Sequence, residues 1–482
     1  MTIIQHKVFW KLIVLSVTLR NCATAKSELS TPNGEENKLG DVVSMVNRWN
    51  YNLEPHTVTT ADGYVLTVFR IPKKDSSKSP VYLQHGHLSC GAAFLANKKS
   101  LVYHLFNNGY DVWVGNARGT QFSQKHEHFD TNSAEYWNFS FHEMGKFDLP
   151  AVIQYITDTT GKSKVHYIGH SMGTTMFLVM GSLLPENLVL VDTVTFLAPV
   201  AVPKHLTAAS STLKWNIANF IAKTLPMIGV PKHGEQPWIA KFQHNVCDSD
   251  TFYGALCRFL SGTPKYEEIV EKRERRVIDE NSSSESGEIE VVHTVVPASM
   301  FDRTSAENVI EYSYQGTSWK TYRHFLQIIK AGRFQEFDYG QDNPNVYDGK
   351  TKPYEYKIRN INKRIYLLSG KLDTIARPED VDWLAVRLND PWLIKEGFED
   401  FDHTAFNQGR GIDMVHETVD EIIEASEQDR DPDLPKDFAV QDLTIDYESN
   451  EEEEEPSQTP DKFSFFNIFN SISIPYKNKF VK

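Results

Sequence analysis

The stretch Val165-His166-Tyr167-Ile168-Gly169-His170-Ser171-Met172-Gly173 joins an apolar, β-prone run to a helix-like run over residues 172–184. Strand, sharp turn and helix in that order are the setting a G-x-S-x-G nucleophile elbow requires. The serine has to sit on a strained turn that lifts its Oγ above the sheet, and a side chain at either flanking glycine would collide with neighbouring backbone. The helix that follows aims its N-terminal N–H groups at an oxygen that becomes negative when a carbonyl is attacked. Two glycines around a serine mean little alone; the strand before and the helix after make the pattern specific.

Working outward, strands and helices alternate. Residues 57–71 alternate apolar and polar and break at Ala61-Asp62-Gly63, which predicts a β-hairpin with an Asp-Gly turn. Short strands are expected at residues 81–84 and 111–114, with a helix between them ending near Asn108-Gly109. A helix over 146–157 leads into the elbow strand, and another strand is expected at 191–197. This alternation predicts an α/β architecture with a mostly parallel, doubly wound sheet. It stops at residues 204–330, which hold helical pieces and irregular stretches before a strand returns at 364–368. An insertion between sheet strands is where a mainly helical cap or lid would lie. Leu213, Ile217, Phe220 and Ile221 line one helix face there, either as a core stripe or as a face that touches lipid. Residues 266–292 are charged and serine-rich and read as an exposed loop.

The chain has 482 residues and a net charge of −14. The segment 427–482 carries fourteen acidic and six basic side chains, including Glu451 to Glu455, and is expected to be a disordered acidic tail with an aromatic end. The remaining body is only mildly acidic and has no basic stripe, which argues against nucleic-acid binding. At the N-terminus, Lys7 and Lys11 accompany an apolar stretch over 8–19, and Ala23-Thr24-Ala25 offers a small-x-small cleavage site. Residues 1–25 therefore read as a signal peptide, too short for a transmembrane span, and nothing later is long and apolar enough to be one. The expected parts are a core at 26–203, a cap at 204–330 and a second core segment at 331–426. An oxidising route favours a small disulfide loop between Cys247 and Cys257, leaving Cys90 as a buried thiol. Asn138 and Asn281 head N-x-S/T sequons.

Chain order supplies the partners of the serine. Where this elbow is used, an acid follows the serine and the base histidine follows the acid. Arg364-Ile365-Tyr366-Leu367-Leu368 runs into Ser369-Gly370-Lys371-Leu372-Asp373, so Asp373 lies just past the edge of the sheet. Asp380 and Asp402 are the competing acids, but neither ends a strong strand. Only two of the 17 histidines follow Asp373. His416 falls among acidic residues in a helix-like run and reads as a solvated face, which leaves His403 as the base. The strand at 81–84 runs into His85-Gly86-His87-Leu88, whose glycine lets the His87 N–H point inward as one oxyanion donor, with the Met172 N–H as the other. A metal pair at His85 and His87 is discounted because no third ligand has suitable spacing.

With these residues in place the chain resembles the acid lipase family, which includes gastric and lysosomal acid lipases and many insect lipases. The likeness runs from about Asn47 to Ile423. It takes in Thr60-Ala61-Asp62-Gly63-Tyr64-Val65-Leu66, Asp111-Val112-Trp113-Val114-Gly115-Asn116-Ala117-Arg118-Gly119, Phe139-Ser140-Phe141-His142-Glu143-Met144, Asp148-Leu149-Pro150 and the elbow. It continues through Leu197-Ala198-Pro199-Val200-Ala201 and Gly316-Thr317-Ser318. The resemblance implies an α/β-hydrolase fold with a cap, no cofactor, and hydrolysis of neutral lipid esters such as triacylglycerols and sterol esters at a lipid–water interface. It implies a secreted or lysosomal location, and it matches the family's triad to Ser171, Asp373 and His403 and its cap disulfide to Cys247 and Cys257. The family usually has Leu at the His87 position and Gln at the Met172 position. It also has Leu-Ala-Asp-Pro where Ile375-Ala376-Arg377-Pro378 stands, and Leu-Asp-Phe where Thr404-Ala405-Phe406 stands. The acidic tail is not a family feature. A non-catalytic lipid-binding protein and an esterase for short soluble esters are the alternative functions on the same scaffold.

Overall fold

The computed structural model describes residues 33–206, 232–233, 316–409 and 411–437. Helix α1 (Asn33–Asn47) precedes a hairpin of β1 (Glu54–Thr59) and β2 (Tyr64–Ile71). Then come β3 (Val81–Gln84), α2 (Gly91–Leu95), α3 (Leu101–Asn107), β4 (Val112–Val114), β5 (Lys125–His126), α4 (Leu149–Thr160), β6 (Val165–His170), α5 (Met172–Leu183) and β7 (Val191–Leu197). A two-residue strand β8 (Lys232–His233) pairs with β9 (Thr317–Ser318). The chain continues through α6 (Trp319–Ala331), β10 (Arg364–Leu368), α7 (Pro378–Ala385), β11 (Asp390–Ile394) and α8 (Ile412–Glu427).

The large sheet has the order β1-β2-β4-β3-β6-β7-β10-β11, with β5 beside β2. Pairs involving β2 are antiparallel, and the other pairs are parallel. Every residue of β3, β4 and β6 is buried, as parallel strands covered on both faces require. After β4 the chain crosses back over β3, so the loops following β3 and β6 diverge at a switch point. Ligands of open α/β sheets bind at such a crevice. Register brings the C-terminal ends together: Gln84 lies beside Gly169, His170 beside Leu197, and Leu368 beside both Leu197 and Ile394. Loops carrying His87, Ser171, Asp373 and His403 thus leave one edge of the sheet.

Local chemistry explains the frame. Thr60 Oγ1 donates to Asp62 Oδ1 at 2.6 Å and accepts the Tyr64 N–H at 3.0 Å, closing the predicted hairpin turn. Fully buried Arg118 then joins this turn to the start of α4, with ion pairs of 2.6 Å to both Asp62 and Asp148, and its guanidinium lies 3.9 Å from the Tyr64 ring centroid. The buried guanidinium is thus paired and hydrogen-bonded on both sides, as a buried cation requires. At the end of α4, Gly161 adopts a left-handed cap.

Two expectations need correction. His416 is not on a solvated face: it is buried between α8 and α3, its ring stacked on His104 at 4.2 Å, while His104 Nε2 meets Asp420 at 2.7 Å. The acidic flank of α8 drew it outward in the sequence pattern, but the ring fills the seam between two helices. The chain also stays on the body beyond residue 427. Arg430 pairs with Glu421, Leu434 packs against the core, and the Asp437 N–H bonds the Leu393 carbonyl at 3.1 Å. Cys90 is buried, and burial pushes its thiol up to about 12. The signal peptide, the helix face at Leu213 to Ile221, Cys247, Cys257, Asn281, the loop 266–292 and the acidic tail beyond 437 lie outside the described residues.

Helix α6, within the insertion expected to form a cap, is fastened to the core. Lys320 Nζ meets Glu143 at 2.9 Å, and His324 Nδ1 lies 3.0 Å from Ser140 Oγ while its ring stacks on Phe141 at 3.9 Å. Ser318 Oγ caps the helix by accepting the Lys320 and Thr321 N–H groups and also donates to the Phe139 carbonyl.

Candidate active site

Ser171 sits between β6 and α5 with φ +53° and ψ −119°, a conformation a serine adopts only when its surroundings impose it. The imposition is visible. Its N–H bonds the Leu197 carbonyl at 3.0 Å, its carbonyl accepts the Thr174 N–H at 2.9 Å, and Thr174 Oγ1 donates to the same carbonyl at 2.6 Å. Gly173 is needed for close approach, because a Cβ there would lie 2.5 Å from the Gln84 carbonyl oxygen. The first turn of α5 is thereby pressed against the end of β3, and the Met172 N–H opens that helix with no intrahelical partner.

The three residues expected from chain order meet. His403 Nε2 lies 2.7 Å from Ser171 Oγ, and His403 Nδ1 lies 2.8 Å from Asp373 Oδ2. The other Asp373 oxygen accepts the Ile375 N–H at 2.8 Å and the Ala376 N–H at 2.7 Å. Burial pushes the Asp373 carboxyl up, but the facing His403 and these hydrogen bonds outweigh it and hold it below its ordinary value. The carboxylate stays charged, and its contact selects the tautomer with hydrogen on Nδ1 and a bare Nε2 facing the serine. Asp380, the competing acid, instead accepts the His205 N–H at 3.0 Å and faces His205 Nδ1 at 2.7 Å.

Asp402 supports the histidine loop: its Oδ1 accepts the Thr404 N–H, the Thr404 hydroxyl and the Ala405 N–H at 3.0–3.1 Å. A carboxylate one residue before the histidine therefore braces this loop, where the family pattern has its aspartate two residues after. The sequence hint was Asp402 followed two residues later by Thr404, an Asx-turn arrangement.

On the opposite side of Ser171, the loop after β3 is held by His85, a residue the motif pattern alone leaves without a role. His85 Nδ1 lies 2.7 Å from the Gly86 carbonyl oxygen, and Nε2 accepts the Ala117 N–H at 3.0 Å. The carbonyl only accepts, so hydrogen is on Nδ1 and the ring is neutral; burial agrees, pushing it down to about 4. In a trans peptide the Gly86 carbonyl and the His87 N–H point opposite ways, so fixing one aims the other. The His87 ring is half-buried, 5.6 Å from Phe325 of α6. Both ring nitrogens of His85 are thus engaged, which removes it as a metal ligand. Asn138 lies apart from this cluster, its side chain exposed between buried Trp137 and Phe139.

Sheet order and elbow define an α/β-hydrolase. A family model of the alpha/beta hydrolase fold matches residues 79–226, and one described as a partial alpha/beta-hydrolase lipase region matches residues 42–98. Gastric triacylglycerol lipase of Bos taurus is 32% identical over 400 residues, covering 81% of this chain and 92% of that one. The Rattus norvegicus enzyme of the same name is 30% identical over 437 residues, covering 87% of this chain and 100% of its own. The Homo sapiens enzyme is 29% identical, over 81% and 92% of the two chains. The chain belongs to the acid lipase family, the α/β-hydrolases that include the gastric lipases, and is a carboxylic ester hydrolase of the lipase/esterase type. Among the described residues no helix is long and apolar enough to cross a membrane.

Proposed function

We propose that the protein hydrolyses esters of neutral lipids, triacylglycerol and sterol ester, through an acyl-enzyme on Ser171. The carrying observation is the continuous line from Ser171 Oγ through His403 to Asp373, with contacts of 2.7 and 2.8 Å on a strained elbow. His403 Nε2 takes the hydroxyl proton as Oγ attacks the ester carbonyl, and the His87 and Met172 N–H groups receive the resulting oxyanion. The protonated His403 is stabilised by Asp373 and gives its proton to the departing alcohol as the C–O bond breaks. Water, deprotonated by His403, then attacks the acyl-enzyme; collapse releases the fatty acid and returns the proton to Ser171. No cofactor is needed for any step.

Residues 204–330 act as the cap that meets the lipid–water interface, closed by a Cys247–Cys257 disulfide. Residues 1–25 direct the chain to the secretory route, towards the extracellular space or the lysosome. Asn138 and Asn281 carry glycans, and the exposure of Asn138 supports its use. The test is hydrolysis of long-chain triacylglycerol, sterol ester and a short-chain ester by the purified chain beside Ser171→Ala. Turnover of the long-chain esters that Ser171→Ala loses supports the proposal. Activity confined to short esters would make it a soluble-ester esterase, and turnover that survives Ser171→Ala would overturn the mechanism.

A further inference from the structure

Two side chains that this chemistry does not use tie the elbow to the histidine loop. His170, directly before the nucleophile, is buried, with Nε2 2.8 Å from the backbone carbonyl oxygen of His403 and Nδ1 3.1 Å from the Asn407 amide nitrogen. A carbonyl can only accept, so Nε2 carries the hydrogen. A neutral ring then presents a bare Nδ1, which accepts from Asn407 Nδ2–H. The partners dictate the tautomer, and the tautomer dictates which way the Asn407 amide faces, since a reversed amide would set oxygen against a bare nitrogen.

The ring is held neutral well below the ordinary histidine range. Burial, then the proximity of His403, push it down to about 3, and the groups that face it are His403 from its own loop, Asp373 from the loop after β10 and His85 from the loop after β3. Neutrality matters because the His170 and His403 rings are 5.2 Å apart, and His403 becomes cationic during catalysis. A second cation at that distance would oppose the proton transfer that the serine needs.

Asp373 grips the far side of the His403 ring and Asp402 braces the N–H groups of the two residues that follow, but the His403 carbonyl is gripped by neither; its partner is His170. We propose that His170 and Asn407 form a positioning pair that registers the His403 main chain against the elbow, so that Nε2 keeps its distance from Ser171 through both proton transfers. The pair touches no substrate; it acts through His403. This inference rests on the triad proposed above, and the variants are chosen so that the two can fail separately.

The test uses the full chain with a soluble p-nitrophenyl ester, measuring kcat, KM, the rate of fluorophosphonate labelling and the thermal midpoint for His170→Phe, His170→Gln, Asn407→Leu, the His170→Phe/Asn407→Leu double variant and Ser171→Ala. Displacing a base by about 1 Å costs roughly 100-fold, so His170→Phe lowers kcat and labelling by about 10- to 100-fold with KM nearly unchanged. Asn407→Leu has a smaller effect in the same sense. The double variant is no worse than His170→Phe, because the two residues act through one contact. His170→Gln, whose amide N–H can take the place of Nε2–H, recovers most of the loss. Wild-type kcat in His170→Phe, additive effects in the double variant, or a folded His170→Gln as slow as His170→Phe would each overturn the pair. If His170→Phe does not fold, Asn407→Leu and His170→Gln decide, and wild-type labelling in Asn407→Leu counts against it. Turnover by Ser171→Ala would instead overturn the triad.

Discussion

Replacing Gly86 by alanine probes how tightly the loop after β3 is set against the nucleophile. A Cβ built on Gly86 falls 2.8 Å from Ser171 Cβ and 3.3 Å from both Ser171 Oγ and His170 Nδ1. Carbon atoms in van der Waals contact sit about 3.5–4.0 Å apart, so relief requires the loop and elbow to separate by roughly 1 Å. Neither neighbour is a flexible chain end: Ser171 is locked in its strained turn, and His170 is bonded on both sides. Gly86 has no positive φ, so alanine is not excluded by backbone conformation and the penalty comes from the clash alone. Overpacking of this kind costs about 1–3 kcal/mol of stability, which a chain of this size tolerates. The catalytic cost is larger, because moving the His87 N–H or Ser171 Oγ by about 1 Å lowers the rate roughly 100-fold. The assay is kcat/KM on a soluble p-nitrophenyl ester, with a thermal midpoint to show that the variant is folded. Gly40→Ala is the control: nothing lies within 4 Å of a Cβ placed at this position on α1, and removing a helical glycine should add about 0.5–1 kcal/mol without touching kcat/KM. A folded Gly86→Ala within about threefold of wild type would refute the reasoning, since a 1 Å shift could not then matter.

Other outcomes follow from the same contacts. His85→Phe leaves the Gly86 carbonyl and the Ala117 N–H without their ring partners and frees the peptide that carries the His87 N–H. It should lower kcat by about 10- to 100-fold, and His85→Asn, whose amide can replace Nδ1–H, should recover part; equal kcat for all three would count against the oxyanion assignment. The chain should also lose stability on moderate acidification. Burial pushes His85, His166 and His416 down to about 4, and His170 and His324 to about 3. Unfolded histidines take up protons below about 6.5 that these buried rings refuse, so stability falls with pH by about 1.4 kcal/mol per unit for each ring well below that value. Glu143 behaves differently. Burial pushes it up, but Lys320 and its other partners hold it at about 2, so its contribution is intact above its usual range and is lost only as pH falls from there towards 2. Urea midpoints that fall between about pH 6.5 and 4.5 confirm the histidine effect, and a flat profile denies it.

The parallel half of the sheet was legible because fully buried strands read as short apolar runs and the elbow has a local pattern. Ser171, Asp373 and His403 were legible because topology imposes their chain order, and a strand end marks the acid. Helix α1 has no counterpart in the expected elements because its first half, Asn33 to Lys38, carries no apolar side chain; its apolar stripe, Leu39, Val42, Val43 and Val46 at helical spacing, is confined to the second half, where Val42, Met45 and Val46 pack into the core. His416 was misplaced because its neighbours in sequence are acidic, whereas its burial depends on His104, more than three hundred residues earlier. His85, His170 and Asn407 were silent for a related reason. Their importance lies in which main-chain atoms they reach, and a one-dimensional pattern does not record that His170 ends up 2.8 Å from a carbonyl 233 residues away.

The central claim is that Ser171 becomes acylated with the help of His403. Intact-mass and peptide mass spectrometry of the chain after brief incubation with a slow-releasing ester tests it directly. The account predicts one acyl group per chain, located on Ser171, absent from Ser171→Ala and strongly slowed in His403→Ala. An acyl group on any other residue, or ester turnover by Ser171→Ala, would contradict it.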